Sequence, residues 1–424
     1  MSVLVLSAPV GAGHDAAAAA LAADLRAIGA DVEVVDGLAL LGVERLVVGG
    51  YHFQILHAAW SWRLLYRLTR SRILIRLAGS LLSRLASRRL LDRITDANPD
   101  VLVSAYPIVS ATLAGLRRRA KLPWPCATLV TDFDPHPVWV HADLDANLVV
   151  GKPGSAARQI RPPIAAVVVE ASVRSSVRAE FGIHVDRRVV LIVGGAWGVG
   201  NLRGAARAIA AIPGMHAIVV TGRNQRLHRT MQQDPSLNAV TVLGFTDQMP
   251  ELMVASDVLV QNAGGLTCLE AFGAGLPVVM FDPLPGHGED NTRLMHCAGL
   301  VSAAKDADGL CAIVTSDDFW KTLAPAQVAR ARALFDRPTA GAAIVGLQAK
   351  TVKQPSRVRR LTPVLAVSLV LGLWFLGENP PISYDVDGRR PPVAQMRSAR
   401  PSEIERSLIT TANSARVRAA GQGR

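Results

Sequence analysis

The sequence predicts an α/β protein built from two doubly wound halves. Short runs rich in Val, Leu and Ile alternate with longer helical stretches along most of the chain, as expected for parallel strands buried on both faces. Several of these runs end in glycine-containing turns that open the next helix. At 424 residues the chain is too long for one ordinary core and suits two domains with additions.

In order, Val3–Leu6 reads as the first strand, followed by Gly11-Ala12-Gly13-His14-Asp15-Ala16 and the alanine-rich helix Ala16–Ile28. Val32–Val35 is the second strand, ending at Asp36, and Val101–Ser104 and Ala127–Val130 are two more. These make a first domain over 1–150, with the Pro- and Gly-containing stretch 151–163 as linker. The second domain, 164–346, repeats the grammar. Val189–Val193 leads into Gly194-Gly195-Ala196-Trp197-Gly198-Val199-Gly200-Asn201, and Ala217–Thr221 into Gly222-Arg223-Asn224. Val258–Gln261 leads into Asn262-Ala263-Gly264-Gly265-Leu266-Thr267, and Leu276–Phe281 into Asp282-Pro283.

Beyond residue 346 the composition changes. A basic linker, 347–360, precedes the uncharged run 361–376, and a Pro/Arg/Ser-rich tail, 377–424, is expected to be disordered. Sixteen helical residues reach about 24 Å, short of a hydrocarbon core of about 30 Å. Trp374 and Phe375 at one end and arginines at the other suit a membrane anchor with snorkelling flanks; a buried helix is the alternative. If the run spans, the basic excess on its N-terminal side puts the body on the cytoplasmic face of the membrane.

Half of the residues are apolar and 19% are charged, which rules out a disordered or coiled-coil protein. The net charge of +12 is carried almost wholly by arginine, since only six of the 46 basic residues are lysine. Such a balance points to an anionic partner: nucleic acid, an acidic membrane surface or a phosphorylated substrate. The four cysteines show neither CxxC pairing nor metal-ligand spacing, so they read as free thiols in a reducing compartment. The N-terminus lacks a basic n-region, and Pro9 and Gly11 interrupt its apolar run, so it does not read as a signal peptide.

Within 60–94 there are nine arginines and one acid, Asp92. Leu74, Leu77, Leu81 and Leu85 recur at helical spacing among Arg72, Arg76, Arg84 and Arg88, with Trp60, Trp62 and Tyr66 just ahead. An apolar stripe flanked by guanidinium and indole groups predicts an interfacial membrane helix that meets lipid phosphate. The alternative is a helix packed on the sheet with arginine merely solvating it. No nucleic-acid reader motif accompanies the arginines, so nucleic acid is not the expected partner.

The loop Gly11–Ala16 loosely satisfies a GxGxxA dinucleotide pattern, with Asp36 ending the next strand. Against an NAD enzyme stands His14, an imidazole where a pyrophosphate wants bare N–H groups; it is better employed as a base. In the second half, two glycine turns at helix N-termini can present N–H donors and positive dipole ends to a diphosphate. Thr267 can add a hydroxyl, and Glu270, one turn on, can accept from ribose. The chain contains no GxxxxGK[ST], so P-loop phosphoryl transfer is not expected.

With these residues on the page, the chain resembles the two-domain (GT-B) nucleotide-sugar glycosyltransferases. Within them it is similar to the monogalactosyldiacylglycerol synthase and processive diacylglycerol glucosyltransferase group, relatives of MurG in glycosyltransferase family 28. The resemblance rests on Gly11–Ala17, Thr131-Asp132-Phe133 and Trp139 in the first half. In the second it rests on Gly194-Gly195, Gly222-Arg223-Asn224, Gly244-Phe245, Met249–Met253, Asp257, Ala263–Thr267, Glu270-Ala271 and Pro285-Gly286. It implies that the second domain holds the donor: Gly244 and Phe245 at the base, Glu270 at the ribose, and Gly264, Gly265 and Thr267 at the diphosphate. Gly194, Gly195, Arg223, Asn224, His287 and Asn291 complete the implied donor set. The first domain would take the acceptor. Where the family usually reads PGQE before an asparagine, this chain reads Pro285-Gly286-His287-Gly288-Glu289-Asp290-Asn291, so the residues that would grip sugar hydroxyls have changed.

Transfer needs a base for the acceptor hydroxyl, and neutral imidazole suits that role at cellular pH. His14 is the expected base, with Asp132 as the alternative or its orienting partner. Helix N-termini at Gly195 and Gly265, with Arg223, would hold the leaving group's charge. The expectation is an inverting hexosyltransferase moving sugar from a nucleotide donor, UDP above all, to a membrane lipid such as diacylglycerol, without metal or other cofactor. Asp132-Phe133-Asp134 does spell DxD, with His136, His141, Asp143 and Asp145 close behind as oxygen and imidazole ligands. The competing readings are a nucleotide-sugar epimerase, a transferase with a soluble acceptor, and a non-catalytic nucleotide-sugar-binding protein.

Overall fold

The computed structural model of the chain describes residues 1–57, 65–134, 136–152, 157–165 and 171–347. The expected spans 347–360 (beyond Leu347), 361–376 and 377–424 lie outside the described residues. Among the described residues no helix is long and apolar enough to cross a membrane.

The first half is a six-stranded sheet, in the order β2-β1-β3-β4-β5-β6, formed by Ser2–Ser7 (β1), Asp31–Asp36 (β2), Val101–Ser104 (β3), Cys126–Leu129 (β4), Ala146–Val149 (β5) and Ala157–Gln159 (β6). The second is formed by Arg188–Val193 (β7), Met215–Val220 (β8), Thr241–Leu243 (β9), Val258–Gln261 (β10), Val278–Phe281 (β11) and Ser302–Ala304 (β12), in the order β12-β11-β10-β7-β8-β9. Every pairing is parallel. Helices cover both faces, so the central strands β3, β4, β10 and β11 are buried at every residue. This is the expected pair of doubly wound halves.

One strand falls where a connector was expected. Ala157–Gln159 pairs with β5 and closes the edge of the first sheet, so only the residues after Gln159 connect the halves. An edge strand of three residues containing Arg158 and Gln159 has no apolar run for sequence reading to detect.

Strand order reverses between β1 and β3 in the first sheet and between β7 and β10 in the second. In open parallel sheets, ligands bind outside the carboxyl ends of the strands at such points. The two reversal points face each other. A Cβ added at Gly13 would lie 3.6 Å from Leu266, and one at Gly11 would lie 3.9 Å from the Trp197 indole nitrogen. One apolar cluster runs from Val5 and Leu21 in the first half to Leu191 and Leu269 in the second. The chain also returns: the helix Ala340–Val345 packs on Ala12–Ala27, where the Gly341 N–H donates to Asp24 at 2.8 Å.

The basic segment is not one stripe. It breaks at Ala86–Ser87 into the helices Arg72–Leu85 and Arg88–Ala97, so Arg88 lies on a different helix from Arg72, Arg76 and Arg84 and pairs with Asp92 at 3.8 Å. The first of these helices buries Ile75, Gly79 and Ser83 against the helix Pro107–Arg118. The crossing is close enough that a Cβ at Gly79 would sit 2.3 Å from the Ala111 carbonyl oxygen. At the crossing itself the packed face is formed by small residues, Gly79 and Ser83, with Ile75 one turn before. Ile73 and Leu77 are left 71% and 62% exposed among the arginines, while Leu81 and Leu85 are half-buried.

Candidate active site

At the first reversal point β1 runs into Gly11, whose φ of 98° turns the chain into the helix Ala12–Ala27. The helix starts four residues earlier than the alanine run suggests and places His14 in its first turn. The His14 Nδ1 lies 3.3 Å from the Thr131 hydroxyl after β4, and its ring meets Tyr106 after β3 edge-on at 5.0 Å. Burial is the main influence on the imidazole and lowers its pKa below 6.5. The Asp132 and Asp15 carboxylates and the Ala105 backbone pull it back up, while His287 pushes it down. Neutral imidazole, the form a base requires, is therefore favoured at cellular pH.

Asp132 does not orient His14 through a hydrogen bond. One of its oxygens accepts from the Trp139 indole at 2.9 Å and the other from the Asn291 amide at 3.2 Å, across the cleft. Its effect on His14 is through charge. Asp36, the acid a dinucleotide site would turn on ribose, instead caps the helix Gly37–Leu41 by accepting from Leu38 N at 2.8 Å and Ala39 N at 3.0 Å. That removes the acidic partner on which the NAD reading depended.

The aspartates following the DxD tripeptide are spent in ion pairs, Asp143 with Arg118 and Asp145 with Arg117. His141 is drawn to the Val138 carbonyl. His136 accepts from Val138 N at its Nδ1 at 3.2 Å, and burial pushes its pKa down to about 4. Among the described residues no three His, Cys, Asp or Glu side chains converge as a metal site.

The second reversal point is lined by backbone. Gln261, buried at the end of β10, accepts from Ala263 N at 2.8 Å and Gly264 N at 2.7 Å and so sets the course of the loop. Gly264 has φ 70°, and a Cβ there would lie 2.8 Å from Asn291. Gly265 caps the helix Leu266–Gly273, and nothing lies within 4 Å of the position its Cβ would take, so no side chain crowds that point of the loop. Asn262 donates to the Val199 carbonyl at 2.7 Å and ties this loop to the glycine loop after β7, where Gly194 and Gly195 lie. Thr267 and Glu270 follow within the first turns, and burial raises the Glu270 pKa.

At the rim, the Arg223 guanidinium stacks on Phe245 at 4.6 Å and Trp197 at 5.6 Å from the ring centroids. Phe245, beside Gly244, is 52% exposed, an unusual position for a phenyl ring and one suited to stacking on a base. Asn224 is employed by the fold: it caps the helix Gln225–Gln232 and donates to the Gly198 carbonyl at 3.2 Å.

Three residues at the cleft were not expected from sequence. Tyr106 lies two residues past the end of β3, a position that the reversal-point rule alone could have flagged. Tyr66 packs on Gly286, where a Cβ would come within 2.9 Å of its ring, and its ring lies 4.4 Å from that of His136. Arg70 pairs with Asp290, so the basic segment reaches the loop carrying His287. His287 is half-buried, and burial lowers its pKa.

Comparison with known proteins agrees with this geometry. Residues 14–155 match the monogalactosyldiacylglycerol (MGDG) synthase family, and residues 187–316 match the glycosyl transferases group 1 family. A processive diacylglycerol beta-glucosyltransferase of Bacillus mycoides is 25% identical over 388 residues, covering 86% of this chain and 98% of that protein. Among solved structures, the spinosyn rhamnosyltransferase SpnG superposes with a TM-score of 0.57 at 18% identity, over 82% of this chain and 99% of that one. MurG of Acinetobacter baumannii does so with a TM-score of 0.52 at 15% identity, over 82% and 99%.

The chain is therefore a glycosyltransferase of GT-B fold, an enzyme of the hexosyltransferase class. Within that class its sequence is similar to the monogalactosyldiacylglycerol synthase and processive diacylglycerol glucosyltransferase group.

Proposed function

We propose that this enzyme moves a hexosyl group from a nucleoside diphosphate sugar, UDP above all, to the hydroxyl of a membrane lipid such as diacylglycerol, with inversion and without a metal ion. The observation that carries this reading is the meeting, across one cleft, of the glycine loop and helix mouth at Gly264-Gly265 with the His14 imidazole, whose pKa burial lowers. The helix N-terminus and the amides beside Gly195 would receive the diphosphate, with Arg223 at the rim. Phe245 would stack on the base and Glu270 would accept from ribose hydroxyls. His14 would take the acceptor's proton as its oxygen attacks the anomeric carbon. The bond from that carbon to the diphosphate oxygen breaks, and the electrons leave with the nucleotide. Attack on the face opposite the leaving group inverts the centre. Asp132, near His14 and held by Trp139, would stabilise the imidazolium that forms.

The lipid acceptor is supported by similarity to diacylglycerol-acting enzymes and by the exposed Ile73 and Leu77 among Arg72, Arg76 and Arg84. Such a face can enter the acyl boundary while guanidinium groups meet lipid phosphate, and the membrane side this reading takes is the cytoplasmic one, whose leaflet carries the anionic lipids. The direct test is incubation of the full chain with UDP-, GDP- and dTDP-sugars and membrane lipid extract, with product read by mass spectrometry. A glycolipid formed equally with and without EDTA is expected; no product from any donor removes the reading. In flotation with anionic vesicles, Arg72→Gln with Arg76→Gln should weaken binding about tenfold or more, at about 1 kcal/mol per arginine. Unchanged flotation would return that helix to a purely structural role.

A further inference from the structure

The resemblance assigns Asn291 to the donor sugar, but its side chain is already engaged within the protein. Asn291 is fully buried at the start of the helix His287–Cys297 in the second half. Its amide oxygen accepts from the backbone N–H of Asp134 at 2.9 Å. A backbone N–H can only donate, so this contact fixes which end of the carboxamide is oxygen and which is nitrogen. The nitrogen then faces two acceptors, the Asp132 carboxylate at 3.2 Å and the Ala263 carbonyl at 3.3 Å. One side chain thus binds the Thr131–Asp134 loop of the first half at two points and the Ala263–Gly264 loop of the second at one.

The consequence falls on Asp132. Its two carboxylate oxygens are held by donors from opposite halves, the Trp139 indole from its own and the Asn291 amide from the other. Trp139 alone leaves the carboxylate free to turn about its bond to Cβ; a second donor on the other oxygen fixes the plane. Two further contacts, Arg70 with Asp290 and the Tyr66 ring on Gly286, hold the same helix start against the first half.

We propose that Asn291 is a positioning residue that fixes the plane of the Asp132 carboxylate beside His14 when the two halves close, rather than a ligand of the donor sugar. For its effect on turnover this rests on the proposed role of His14 and Asp132; the hydrogen bond to Asp132 stands without it. Domain closure and assembly of the proton-accepting pair are then a single event.

The test uses the full chain and two variants. Asn291→Ala removes the clamp, and Asn291→Asp keeps the volume but sets a carboxylate oxygen against Asp132. By calorimetry, both should bind the nucleotide-sugar within about threefold of wild type, while kcat falls by about tenfold or more. A loss of donor affinity matching the loss in kcat/KM, at unchanged kcat, would make Asn291 a sugar ligand and overturn the proposal. A second readout needs neither donor nor turnover. In protein labelled at tryptophan with nitrogen-15, the Trp139 indole signal is identified by its loss in Trp139→Phe. Its N–H should shift and exchange faster in both Asn291 variants, because its acceptor is released. An unmoved signal overturns the clamp even if the enzyme is active; a moved signal with no turnover from any donor sustains the clamp and removes the glycosyltransfer reading instead.

Discussion

Both halves are open parallel sheets with one reversal of strand order, two strands before it in the first half and three in the second, and they use that point in opposite ways. At the reversal point of the first sheet, side chains crowd together: His14 contacts Tyr106, Thr131 and Trp139, and Trp139 in turn holds Asp132. At the reversal point of the second, glycines leave the backbone bare, and the buried Gln261 serves only to set the loop. The difference follows from what each site must handle. A diphosphate spreads its charge over several oxygens and is best met by many fixed N–H dipoles. A proton moves between two atoms and needs one group of suitable pKa. A reversal point in a parallel sheet thus yields an anion cradle where side chains are removed and an acid–base site where they are added.

If that division is right, substitutions in the two halves should damage different constants. The largest effect is expected from His14→Ala, which should lower kcat by about 10²–10⁴ and leave donor affinity within twofold. Equal loss in both would break the division at its centre. Next, Gly264→Ala should weaken donor binding by about 10- to 100-fold, since it strains a φ of 70° and drives a methyl against Asn291. Calorimetry showing native affinity would mean that the loop does not carry the diphosphate. Glu270→Gln should cost about tenfold in donor affinity by weakening one charge-assisted hydrogen bond. An unchanged dissociation constant would take Glu270 away from the ribose.

The smallest effect is on pH dependence. Turnover should be constant above the His14 pKa and fall as pH drops through it, with a midpoint below 6.5 because burial disfavours imidazolium. Asp132→Asn removes a charge that favours imidazolium, so in that variant the midpoint should move lower still. A midpoint moving upward would show that some group other than His14 sets the profile.

Much of this architecture was legible in the sequence. The apolar runs of β1, β3, β7 and β10 and the glycine turns at two reversal points stand out in the chain, and they locate the donor loop. What escaped were β6, β9 and β12, three residues each and too short for a pattern to register, and β5, whose Ala146-Asn147-Leu148-Val149 is broken by a polar residue. The basic helix was legible as amphipathic but not in orientation. Its leucine stripe was expected to face lipid, and Leu74 and Leu77 are exposed, but nothing local marked Ile75, Gly79 and Ser83 as the face that packs on the helix Pro107–Arg118.

By itself the sequence determined the two parallel sheets and the bare-amide loops, because strand burial and glycine turns are local properties written in consecutive residues. Only the tertiary structure decided that Asp132 answers to Trp139 and Asn291 rather than to His14, and that Tyr66 and Arg70 reach the helix start at Gly286–Asp290. Asn291 and Asp132 are 159 residues apart in the chain. Their hydrogen bond joins the two halves, and no local pattern encodes the angle at which two folded bodies meet.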